Sequence, residues 1–92
     1  MASPAQVAND LDIRAKFWRG RDGGIEGTCR TGARVIRCYL DEVPPDGRTT
    51  AGVLTRLYRL VDTYPVLSNP DLKASLARAA QTISDLRMEA SA

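Results

Sequence analysis

Four times along this chain, apolar residues recur at steps of three and four, and proline or glycine closes the first three of these patterns. That spacing marks a helix with one face turned to a core. The clearest stretch is Thr50 to Tyr64, where Val53, Leu54, Leu57, Leu60, Val61 and Tyr64 fall on one face. Pro44-Pro45-Asp46-Gly47 precedes it and Pro65 follows it. The other three patterns are each long enough to cover part of that face, so the chain can bury its apolar residues only by packing helix against helix.

In chain order, Ser3-Pro4-Ala5-Gln6 opens the first helix. Ser3 suits the cap, Pro4 the first helical position, and Gln6 the third, where a capping box places Glu or Gln. Val7, Leu11, Ala15 and Trp18 form its stripe, and Gly20 fits as the stop. Asp12 and Lys16 stand four apart on the wet side. Asp22 is the expected cap of the second helix, whose stripe runs Ile25, Cys29, Gly32, Ile36, Tyr39, Val43. Gly32 on that stripe would let another helix approach closely. Thr49 or Thr50 is expected to cap the third helix, and Pro65 to end it. Val66 and Leu67 should fold under the end of the bundle. Asn69-Pro70 starts the fourth helix, with stripe residues Leu72, Leu76, Ala79, Ile83, Leu86 and Ala90.

These patterns predict a single all-α domain over residues 1–92, with helices at about 4–19, 25–43, 50–64 and 70–90. Connections of about five residues make neighbouring helices antiparallel, and the apolar repeats favour shallow crossings, which gives an antiparallel four-helix bundle-like fold. Ile36, Leu57, Leu76 and Ile83 are expected at its centre. Tyr39, Tyr58, Val35 and Phe17 are expected on stripe edges, where they leave an apolar margin that pairing of two chains would cover. No stretch of eighteen apolar residues is present, and the start lacks the basic and apolar regions of a secretory signal, so the expected location is cytoplasmic.

Catalysis has little to work with. The chain has no His, the commonest general base and metal ligand. Its two cysteines, Cys29 and Cys38, are nine apart and half a helical turn out of phase. They cannot share a metal or bond to each other without unwinding the helix. Asp41, Glu42 and Asp46 cluster near a turn but lack EF-hand spacing. The glycines from Gly20 to Gly27 follow a helix and match neither phosphate-loop nor dinucleotide spacing. The expectation is therefore no enzyme, no cofactor and no metal.

Charge is the sharper signal. The net charge is +2, yet Arg14 to Arg37 carries seven positive residues against Asp22 and Glu26. Arg30, Arg34 and Arg37, at steps of four and three, fall on the outer face of the second helix, with Arg19, Arg21 and Lys16 nearby in sequence. Such a patch can meet an acidic protein surface or nucleic acid phosphates. No helix-turn-helix spacing accompanies it. The expected role is protein–protein interaction, as a homodimer or as an adaptor or regulator of another protein. Nucleic-acid binding through Arg19, Arg21, Arg30, Arg34 and Arg37 is the alternative.

Overall fold

The computed structural model describes residues 2–21 and 24–91. It contains four α-helices: α1 (Pro4–Phe17), α2 (Ile25–Leu40), α3 (Gly47–Val61) and α4 (Pro70–Ser91). A short 3-10 turn, Val66–Ser68, leads into α4. No strand occurs among the described residues. The long axis is 36 Å, and α4, at about 1.5 Å per residue, runs nearly all of it.

The ends of the helices have local causes. The Gln6 amide donates to Ser3 Oγ at 3.2 Å, and the Ser3 amide donates to Gln6 Oε1 at 2.8 Å. That reciprocal pair is the predicted capping box. The chain leaves α1 through Gly20, whose φ of 68° is open to a residue without a Cβ. Asn69 caps α4 by accepting from the Leu72 amide at 3.2 Å. Asp22, the expected cap of α2, lies outside the described residues. The N-cap of α2 is Gly24, with φ 95° and no side-chain bond.

Three boundaries depart from expectation. First, α3 begins at Gly47 because Asp46 is its cap: Asp46 Oδ1 accepts from the Thr49 amide at 2.7 Å, and Oδ2 from the Thr49 hydroxyl at 3.1 Å. Thr50 is instead fully buried, and its hydroxyl lies 3.3 Å from Tyr39 Oη. Second, α2 stops at Leu40, not Val43. The Val43 amide donates to the Cys38 carbonyl and the Glu42 amide to the Tyr39 carbonyl, at 3.0 and 3.2 Å, the paired bonds of a Schellman cap. Glu42 takes the left-handed conformation there, with φ 59°. The chain must leave the helical region before Pro44, which forbids it to the preceding residue. Val43 therefore leaves the stripe and is 68% exposed. Third, α3 ends at Val61, so Tyr64 stands 73% exposed rather than on the core face. Val66 fills that end of the core instead, fully buried, while Leu67 stays exposed.

The core draws on all four helices. Leu11, Ile36, Leu57, Leu76 and Ile83 are each 0% exposed. Val35, expected on an edge, is buried as well. α2 and α4 each pack against every other helix, whereas α1 and α3 sit diagonally with no close backbone approach. Thus α2 and α4 are the central pair, and α3 is one of two flanking helices.

Candidate functional site

The arginines of α2 share its outer face but not their surroundings. At 100° per residue Arg30 and Arg37 lean to one side of Arg34's outward direction, and that is the side where α1 lies. Arg37 Nη2 is 2.6 Å from Asp12 Oδ2 and donates to Asn9 Oδ1 at 3.0 Å. Arg30 Nη2 is 2.8 Å from Glu26 Oε2. Both pairs are exposed enough to add at most about 1 kcal/mol each to stability. They neutralise the α1 side of the patch all the same. Asp12, expected to pair with Lys16, is held across the helix boundary by Arg37. Lys16 instead shares a hollow of about 310 Å³ between α1 and α2 with Asp12, Ala15 and Arg30.

The two loop arginines stand apart from this. Arg21 lies over the Phe17 ring, 4.5 Å from its centroid, and Phe17 meets Trp18 edge to face at 5.8 Å. That stacking explains how Phe17 can be 57% exposed yet covered by a cation on its face. Arg19 is exposed at the end of α1.

Arg34 turns the other way, toward α3. With Thr31 from α2 and Arg48, Thr49, Gly52, Val53 and Arg56 from α3, it lines a concavity of about 400 Å³. Arg48, Gly52 and Arg56 stand at successive steps of four, so they form a row along α3, about 12 Å from end to end. A Cβ at Gly52 would meet nothing within 4 Å, which leaves the floor between the two arginines open. Arg34, Arg48 and Arg56 are exposed, and none joins an ion pair among the described residues. Three arginines from two helices therefore line one hollow that has no carboxylate among its lining residues. Asp46, the acid closest in sequence to Arg48, has both oxygens engaged by Thr49. Amide and hydroxyl donation from Thr49, with help from the Arg48 amide, holds its carboxyl below the usual range and keeps it ionised. Arg48 and Arg56 had not been singled out in the sequence. Their step of eight around Gly52 is visible there, but that α2 brings Arg34 beside them is not.

The cysteines are both free. Cys29 is fully enclosed. Burial, and then the Asp10 carboxylate, push its thiol up to about 12, with Arg14 pulling slightly the other way. Cys38 is only partly buried, on the opposite side of α2. A maleimide reagent at neutral pH should modify Cys38 and leave Cys29 untouched until the fold opens, as read by mass spectrometry of the digested protein. Labelling of both at one rate in the native protein would contradict the packing of α2. Reducing agent should leave the melting temperature unchanged.

Among the described residues no group of three His, Cys, Asp or Glu side chains is placed to hold a metal ion. Comparison with protein-family models, with curated proteins and with solved structures finds no match.

Proposed function

We propose that the protein acts through protein–protein contact, as a self-associating or adaptor module. The observation that carries this reading is the apolar end of the bundle where α2 and α4 finish. Tyr39, Pro44, Leu86 and Ala90 line a hollow of about 380 Å³ there. At the same end Leu40 and Val43 are 43% and 68% exposed. Glu42 and Glu89 line the same hollow, so it pairs exposed apolar side chains with two acids, a combination that a protein interface can cover. A small chain gains buried area by pairing, and a two-fold dimer is the commonest closed arrangement. A cytoplasmic location belongs to the same reading, and two free thiols fit a reducing compartment. No helix among the described residues is long and apolar enough to cross a membrane.

Light scattering at micromolar concentration should give twice the chain mass of 10.0 kDa. The double variant Leu40→Asp, Val43→Asp should return it to the chain mass while keeping the helical circular-dichroism signal. A wild-type mass of one chain removes self-association and leaves only the adaptor role. Nucleic-acid binding is the second reading, now through Arg34, Arg48 and Arg56, which join no ion pair among the described residues.

A further inference from the structure

We infer that the groove of Arg34, Arg48 and Arg56 takes an acidic segment of a partner protein. The inference deepens the interaction reading by naming the chemistry of the partner, and it rests on that reading, but on a different surface from the apolar end.

The argument begins with charge. Three like charges lining one concavity repel one another, and none of them joins an ion pair among the described residues. An anion laid between them converts that repulsion to attraction. Guanidinium groups are suited to carboxylates because their planar fork can donate two bonds at once. Extent selects the ligand. The row from Arg48 to Arg56 is about 12 Å long, which an extended chain covers in about four residues. A run of Asp and Glu can therefore offer one carboxylate to each end of the row and another to Arg34 across the groove. The open floor at Gly52 lets the backbone of such a segment lie close to α3.

The surroundings favour a short acidic segment over a duplex. A nucleic acid backbone needs a long basic track, and the row on α3, even carried on by Arg59, ends within one helix that is capped by an acid at each end. Asp46 caps α3 at one end of the row and Asp62 at the other. On the far side of α2, Arg30 and Arg37 are already paired with Glu26 and Asp12. Phosphates running beyond the groove would meet those carboxylates.

The test uses fluorescence anisotropy with labelled decaglutamate as the probe, and a labelled twelve-base-pair DNA duplex in parallel. The intact protein should bind decaglutamate, more weakly as salt rises, and the variant Arg34→Gln, Arg48→Gln, Arg56→Gln should lose about tenfold or more in affinity. The double variant Arg30→Gln, Arg37→Gln should change it by less than about threefold, because those charges are already neutralised. Equal binding of decaglutamate by the wild type and the triple variant would overturn the inference. So would duplex DNA binding tighter than the peptide and lost in the triple variant, which would give the groove to nucleic acid. Binding to neither probe, with the dimer mass intact, would end the inference and leave self-association through the apolar end standing.

Discussion

Replacing Ile83 by Ala should lower the stability of the fold by about 2–5 kcal/mol. Ile83 lies near the middle of α4, the helix that packs against all three others, and it is 0% exposed. Its removal takes three methyl or methylene carbons from a site walled by helices on every side. Close-packed neighbours relax only in part, so a cavity remains in addition to the lost transfer energy. For a chain of this length each kcal/mol shifts the midpoint of thermal unfolding by about 5 °C, so the loss should read as about 10–25 °C. Against a total stability of about 5–15 kcal/mol, the upper end of that loss is a third or more of the whole. The control is Ile13→Ala. Ile13 is 65% exposed on α1, and the same chemical change there should cost less than about 0.5 kcal/mol. Thermal and urea unfolding followed by circular dichroism measure both. A midpoint for Ile83→Ala equal to that of the wild type, or losses of equal size at positions 13 and 83, would mean that α4 does not present this face to the core.

The contrast between Ile83 and Ile13 was readable before any packing was known, because it follows from helical period alone. The same is true of Ser3 with Gln6, and of Asn69 with Pro70. In each case the partners lie within one turn, so a few residues of sequence contain the whole interaction. The misplaced boundaries are of another kind. At Pro44-Pro45-Asp46-Gly47 the turn residues also begin a helix, and only the reach of the Asp46 carboxylate to the Thr49 amide decides where. At Glu42 the chain enters the left-handed region without the glycine that normally announces it. The arginines divide in the same way. Glu26 with Arg30 is a local pair four residues apart, whereas Asp12 with Arg37 joins two helices. Whether Arg34 faces α1 or α3 depends on how α2 is rotated in the bundle, which is a property of all four helices together. A basic stripe read from one helix was therefore a sound inventory of charge but not a map of the surface.

Gly32 lies where the four helices meet, and Gly32→Val should destabilise the fold by overpacking that point. A Cβ placed at Gly32 would lie 3.1 Å from Leu11 Cδ1, 3.9 Å from Ile83 Cδ1 and 3.9 Å from Val53 Cγ2. Those atoms belong to α1, α4 and α3, so all four helices meet at the bare backbone of this residue. Adding only the Cβ sets two terms against each other. Ala gains about 1 kcal/mol of helix propensity over Gly, while Leu11, itself 0% exposed, must yield a few tenths of an ångström. Gly32→Ala should therefore end close to the wild type. Val adds two more methyl groups with little rotational choice in a helix, and they have no space to enter. Overpacking of this kind costs about 1–3 kcal/mol or more, and here it would push α1 or α4 off α2. Gly27 separates the backbone effect from the packing effect. It lies in the same helix with nothing within 4 Å of its Cβ position, so Gly27→Ala should raise stability by up to about 1 kcal/mol. The expected order of unfolding midpoints is Gly27→Ala above the wild type, Gly32→Ala near it, and Gly32→Val below it by about 5–15 °C. Should Gly32→Val melt with the wild type, Leu11, Val53 and Ile83 could not all converge on α2 at this point. The orientation that turns Arg34 toward Arg48 and Arg56 would then lose its anchor.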